Sequence, residues 1–294
     1  MSGGILIIDK PAGFTSFDVV AKLRGICGTR KIGHGGTLDP MATGVLPVFV
    51  GQAAKAVDLQ QRTEKEYVAV LKLGLRTDTG DITGTALEQA AVPSCLNEAA
   101  LRAVLPRFLG PQLQTPPMYS AVKVNGQPLY KAARKGETVA RKARPIVIHE
   151  LELLQRVSAE EYRLRVLCGK GTYVRVLLED IGRALGLPAT MSALRRTAAG
   201  PYTLAQAHTL DAVQAAKDAG ALDALYLGVE TVFAALPAVE VDGAAMARLL
   251  NGAPVYGIQG PAGRVRIRCG GQFLGVGAVE NNVLNGEKLF VDRS

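Results

Sequence analysis

Apolar residues along the chain fall into short blocks, and the spacing within each block predicts its element. Ile5 to Ile8 is an apolar run closed by Asp9-Lys10-Pro11-Ala12-Gly13, which reads as a buried strand ended by a turn. Thr15 or Ser16 can cap a following helix, with Val19, Val20 and Leu23 on one face. Val45 to Val50 is a second apolar run, and Gln52 to Gln61 reads as helical. From Glu66 to Gly74 the period becomes two. Val68, Val70 and Lys72 share one face, and Ala69, Leu71 and Leu73 the other. The stretch from Thr77 to Gly84 is polar. Its carboxylates raise the question of calcium, but the EF-hand spacing closed by glutamate is missing, so a hairpin turn is expected. Leu96 to Phe108 reads as an amphipathic helix. Pro145 to Val157 and Glu161 to Gly169 read as a hairpin, with Tyr162, Leu164, Val166 and Cys168 opposite Arg163 and Arg165. A helix ending near Leu185-Gly186 and another from Asp211 to about Ala224 follow.

Pro237 marks a boundary, giving units of 1–236 and 237–294. The second has many glycines between short strands such as Val265 to Cys269 and Phe273 to Val279, a spacing that suggests a compact β unit. Arg264, Arg266 and Arg268 alternate onto one strand face. They fit either RNA backbone contact or an edge protected by charge.

Composition narrows the partner. The 294 residues are 48% hydrophobic and 20% charged, an ordinary globular balance, but the net charge is +8 and the pI about 9.4. A polyanionic partner or simply a basic surface accounts for that. The charge is concentrated in residues 115–145, where Lys123, Lys131, Arg134, Lys135, Arg141, Lys142 and Arg144 face only Glu137. Such a segment is either a solvated loop or a patch that tracks phosphates. Four scattered cysteines and three histidines argue against a disulfide framework and a metal cluster, and fit reduced thiols in the cytoplasm. The N-terminal apolar run is too short for a signal peptide. No run approaches the ~20 apolar residues of a membrane span.

The densest constellation is Lys31-Ile32-Gly33-His34-Gly35-Gly36-Thr37-Leu38-Asp39-Pro40-Met41-Ala42-Thr43-Gly44. Glycines allow close backbone approach, and Pro40 disfavours helix at Asp39, so Asp39 belongs on a rigid loop. It could cap the next turn or act as a nucleophile or acid–base group. A phosphate cradle fits poorly, because Gly44 is followed by Val45-Leu46-Pro47 rather than by the Lys-Ser/Thr of a phosphate-binding loop.

This stretch resembles the Gly-His-x-Gly-Thr-Leu-Asp-Pro-x-Ala-Thr-Gly signature of the TruB-type tRNA pseudouridine-55 synthases. Position 35 is glycine where a larger residue is expected. Three further segments resemble the family's other motifs: Asp9 to Ser16, Pro116 to Lys123, and Ala193 to Tyr202. The resemblance implies an α+β pseudouridine-synthase fold with a largely antiparallel central sheet and flanking helices, followed by a small β-rich PUA-like domain. It implies isomerisation of uridine 55 in the tRNA T loop, with Asp39 as nucleophile and Arg175 as its partner. Tyr67 would stack on the flipped base and take the proton from carbon 5. Leu194 would border the base, and His34 would fill space left by flipped nucleotides. Tyr173 and Arg175, two apart on an extended backbone, would point into one pocket. Attack on uracil carbon 6 and on ribose carbon 1 both remain open. The basic segment would grip the tRNA stem-loop. No cofactor, no metal and no obligate protein partner is implied, and a cytoplasmic monomer is expected. Two alternatives stay beside this reading: a homologue guided to another RNA by partners, and a non-catalytic RNA-binding or RNA-folding protein.

Overall fold

The computed structural model describes residues 3–61, 63–124 and 126–291. In chain order the first strands are β1 (Ile5–Lys10), β2 (Ile32–His34), β3 (Thr43–Val50), β4 (Lys65–Leu73), β5 (Leu75–Thr77), β6 (Ala86–Gln89) and β7 (Gly110–Gln114). They are followed by β8 (Lys123–Val124), β9 (Gln127–Pro128), β10 (Arg144–Arg156), β11 (Glu161–Cys168), β12 (Ala189–Ala199) and β13 (Tyr202–Thr203). Nine of these form one sheet in the order β1-β3-β12-β4-β11-β10-β7, with β2 added on β3 and β13 on β12. Every pairing in it is antiparallel except β3 with β12. The sheet is therefore largely antiparallel, as expected.

The decisive feature is the insertion of β12, late in the chain, between β3 and β4. It sets the loop that ends at Gly44 beside Tyr67 of β4 and Leu194 of β12. Gly44 is the residue that permits this. Its φ is +101°, and a Cβ there would stand 2.1 Å from the Arg196 carbonyl oxygen.

The alternation read in β4 holds: Tyr67, Ala69, Leu71 and Leu73 are buried, while Val68, Val70 and Lys72 are half-buried. Tyr162, Leu164, Val166 and Cys168 of β11 extend the same core. Thr77 to Gly84 is the expected hairpin turn, closed by β5 and β6. Helix α1 (Ser16–Cys27) is capped by Thr15, whose hydroxyl accepts from Asp18 N while the Asp18 carboxylate accepts from Thr15 N.

Several boundaries differ from the sequence pattern for identifiable reasons. The helix read over 96–108 is α2 (Glu98–Val104), capped by Asn97, and then a 3₁₀ turn, Leu105–Phe108, where Pro106 removes a helical donor. Gln52 to Gln61 is a 3₁₀ helix, Gly51–Leu59. In the basic segment a short helix, α3 (Leu129–Ala133), follows β9. Helix α4 (Val174–Ala184) buries Leu177, Leu178 and Ile181 against the sheet. Helix α5 (Leu210–Asp218) stops before the left-handed Gly220, and Leu222–Leu225 is a separate 3₁₀ turn.

After Pro237 come β14 (Ala238–Val241), α6 (Gly243–Leu250), β15 (Val255–Tyr256), β16 (Gly263–Cys269), β17 (Gln272–Glu280) and β18 (Val283–Leu289). They build a second sheet, β14-β16-β17-β18-β15. Helix α6 was not foreseen, since glycine and alanine start it. Phe273 and Phe290 pack on Phe233 at ring-centroid distances of 6.0 and 5.6 Å, so a shared core crosses the boundary. Strand β16 lies between β14 and β17, which excludes a charged edge. Its arginines also meet carboxylates: Arg264 pairs with Glu287 at 2.8 Å, and Arg266 with Glu230 at 2.9 Å. Arg268 lies 3.6 Å from the same Glu230. The face read as an RNA contact is thus occupied by carboxylates.

Candidate active site

Three segments hold the Asp39 loop. Ser16, at the start of α1, accepts from Leu38 N at 2.9 Å and donates to Leu38 O at 3.3 Å. Lys10, fully buried at the end of β1, donates to Pro11 O, Phe14 O and Pro40 O at 2.8, 2.6 and 3.2 Å. Burial lowers its pKa to about 8, opposed by the nearby Asp39 carboxylate. Arg196 of β12, also buried, donates from Nε to Val45 O at 2.6 Å and from Nη2 to Gly36 O at 3.1 Å. At Gly35 the Gln60 amide and the Phe49 ring close the space. A Cβ there would meet them at 3.2 and 3.3 Å, so the small residue leaves no void.

Asp39 faces Arg175. Arg175 Nε lies 2.9 Å from one carboxylate oxygen, and Nη2 donates to the other at 3.2 Å. This is the two-point geometry of a planar guanidinium. The rest of the fork is also used: Nη1 donates to Thr79 O at 2.6 Å and Nη2 to Tyr119 O at 2.8 Å. Arg175 is 4% exposed. Burial pushes the Asp39 carboxyl above the usual carboxylate range. Arg175 pulls it back, and Asp81 adds to the rise.

Asp39, Tyr67, Tyr173, Arg175 and Leu194 line one pocket of about 260 Å³. That lies just under the roughly 300–1,000 Å³ of drug-sized ligand sites and suits a single base. Tyr173 and Arg175 do not share the one extended strand that their spacing predicts. Tyr173 is the extended N-cap of α4, but Arg175 lies in its first turn. Both reach the pocket because the helix begins there, not because the backbone alternates. Tyr67 is 6% exposed. Burial raises its phenol, and the adjacent Arg196 opposes that shift. His34 is not brought in. It pairs with Val48 from β2, outside the pocket wall, and burial lowers its pKa.

The basic segment leaves the pocket at Tyr119-Ser120, where Tyr119 O receives the Arg175 bond. Lys123, Lys131, Arg134, Lys135, Lys142 and Arg144 carry its charge, and most of them are exposed. Among the described residues none of them is ion-paired. Arg134 stacks over the Tyr130 ring at 5.5 Å. Arg141 is different: it is half-buried and donates to Pro116 O at 3.1 Å, bracing the root of the segment.

Models of three related domains match nearly the whole chain. A model of the N-terminal domain of TruB family pseudouridylate synthases matches residues 24–174. A tRNA pseudouridylate synthase B C-terminal domain model matches 175–234, and a TruB C-terminal model of pseudouridine synthase II matches 237–290. The chain belongs to the TruB family. It is 43% identical to tRNA pseudouridine synthase B of Azoarcus sp. (strain BH72) over 99% of this chain and 96% of that one. Against the protein of the same name from Stutzerimonas stutzeri (strain A1501) it is 42% identical, covering 95% and 92%. Among solved structures it resembles a chain of a Cbf5-Nop10-Gar1 complex, with a TM-score of 0.73 and 29% identity over 98% of this chain and 85% of that one. A chain of an H/ACA RNP bound to a substrate RNA containing 2′-deoxyuridine gives 0.72 and 26% over 99% and 86%.

In this TruB chain the join between the first two family models separates Tyr173 from Arg175, yet both line one pocket. Sequence reasoning missed three of the pocket's neighbours. Lys65 lines it two residues before Tyr67 on the same strand face, a signal that period two could have supplied. Tyr119 was read only as part of a motif. Arg196 stood in the Leu194-Arg195-Arg196 run, but only the β3–β12 pairing shows that it is buried.

Proposed function

We propose that this TruB chain isomerises uridine 55 in the T loop of tRNA to pseudouridine, with Asp39 as the nucleophile. The observation that carries the reading is the two-point Arg175–Asp39 pair on the wall of a base-sized pocket. Arg175 offsets the burial of Asp39 and favours the ionised carboxylate that attack requires. A uridine in a folded loop must leave the stack to enter, and Tyr67 and Leu194 supply apolar surface for it there. The N1–C1′ bond breaks, the ring turns and C5 bonds to C1′; C5 then loses its proton and N1 gains one, so the product is an isomer. Tyr67 is the group we assign to the C5 proton. To accept that proton the hydroxyl must first give up its own, and the neighbouring Arg196 opposes the burial that keeps it protonated.

The unpaired cations of residues 123–144 support direct capture of the RNA by a single chain, without an obligate protein partner. A tRNA substrate places the work in the cytoplasm. The test is release of tritium from tRNA labelled at uracil carbon 5. Wild type should release it, and tRNA with cytidine at position 55 should give none from that site. Asp39→Asn should stop release while tRNA binding stays within about tenfold. Release by a verified Asp39→Asn protein would overturn the assignment.

A further inference from the structure

Four cations surround the Asp39 loop, and they differ in how many acceptors they hold. Lys10 reaches three carbonyls. Arg175 holds Asp39 and two carbonyls, and Arg196 holds two carbonyls. Lys65 Nζ reaches one acceptor among the described residues, Thr63 O at 3.1 Å, and no carboxylate. An ammonium has three donors, so two are left over in the pocket wall.

We propose that Lys65 binds the phosphate of the flipped target nucleotide. The inference rests on the uridine reading above. Depth along β4 decides between phosphate and base. Lys65 is half-buried, Tyr67 is 6% exposed and Ala69 is fully buried, so Lys65 stands at the mouth and Tyr67 further in. Two strand residues span about 7 Å, comparable with the distance from a pyrimidine ring to its own phosphate. A base held at Tyr67 therefore leaves its phosphate near Lys65. Gly36, Gly169 and Gly171 also line the pocket and present no side chain there. The Lys65 stem runs past Gly36, where a Cβ would come within 3.2 Å of its Cε. The electrostatics agree. Burial and then Arg196 disfavour the Lys65 charge, Cys168 and Glu64 favour it and Lys170 disfavours it, and the net pKa is lowered. An anion in this position favours the charge and offsets the two cations.

The test is a binding cycle on a T stem-loop. One RNA carries a neutral methylphosphonate in place of the phosphate 5′ to the target uridine. Wild type should bind it roughly 10- to 100-fold more weakly than the normal RNA, the value of one charged hydrogen bond. Lys65→Met should bind the normal RNA with a similar loss and then be indifferent to the methylphosphonate. Lys65→Arg should restore most of the sensitivity, which a merely structural role would not. If wild type ignores the methylphosphonate, or if wild type and Lys65→Met lose equally, the clamp is overturned. Tritium release by wild type on the normal stem-loop is followed in parallel. Its absence would overturn the uridine reading, whereas the binding cycle judges the clamp independently of turnover.

Discussion

Replacing Arg175 with methionine tests whether the arginine keeps Asp39 ionised. Methionine retains an unbranched stem and removes the guanidinium, and with it the bonds to Asp39, Thr79 O and Tyr119 O. Asp39 then faces burial and Asp81, which both raise its pKa, with Lys10 left to oppose them. Breaking a buried pair by removing one partner costs about 3–5 kcal/mol. Asp39 keeps 34% of its side-chain surface and water screens that part, so ~2–3 kcal/mol applies here. With the guanidinium gone, the acid limb of the single-turnover rate should move to higher pH. The sign for stability follows from proton linkage. The folded-state pKa of Asp39 already lies above its ordinary value, so its contribution to stability is full at low pH and is lost as pH rises through the folded pKa. The variant raises that pKa further. Its deficit against wild type should therefore be largest at neutral pH and shrink as Asp39 takes up a proton. Urea midpoints and single-turnover rates across a pH series measure both. An acid limb left in place, with stability within about 0.5 kcal/mol of wild type, would refute the ion-pair role. Adding Asp39→Asn to Arg175→Met removes the unpaired charge and should return much of the lost stability.

Tyr67→Phe keeps the ring and removes the hydroxyl. The single-turnover rate should fall about 10²- to 10⁴-fold with RNA affinity little changed, whereas Tyr67→Leu should harm both; a wild-type rate for the phenylalanine variant would leave Tyr67 a stacking role only. Reversing Lys131, Arg134 and Lys135 to glutamate should weaken tRNA binding at low salt and flatten its salt dependence, by roughly 0.7–0.9 in slope for each phosphate no longer neutralised. Chemistry on bound RNA should change much less, and an unchanged salt titration would show the segment to be a solvated loop. Gly44→Ala should destabilise the fold by more than about 4 kcal/mol, because a Cβ 2.1 Å from Arg196 O forces β3 from β12. A wild-type melting temperature would show that the two strands can part without loss.

Local pattern and motif carried much of this protein on their own. Period two sorted β4 and β11 into two faces each, because a half-buried strand exposes alternate residues to different surroundings, and the structure shows which face of β4 is buried. The Asp-Pro step and the glycines placed Asp39 on a loop, because proline restricts the backbone before it and glycine permits close approach, and the resemblance to the family signature singled it out. Other features depend on residues far apart in sequence. The Arg264-Arg266-Arg268 row looked free for RNA, and only the fold brings Glu230 and Glu287 to it. Arg175 looked like half of an extended pair, and only helix α4 aims it at Asp39. Lys65 and Arg196 gained meaning when β12 entered between β3 and β4. A short-range pattern reports which side of an element is dry. Which charges meet across the sheet is decided by strand order, and strand order is set by packing between segments more than a hundred residues apart, as Gly44 and Arg196 are.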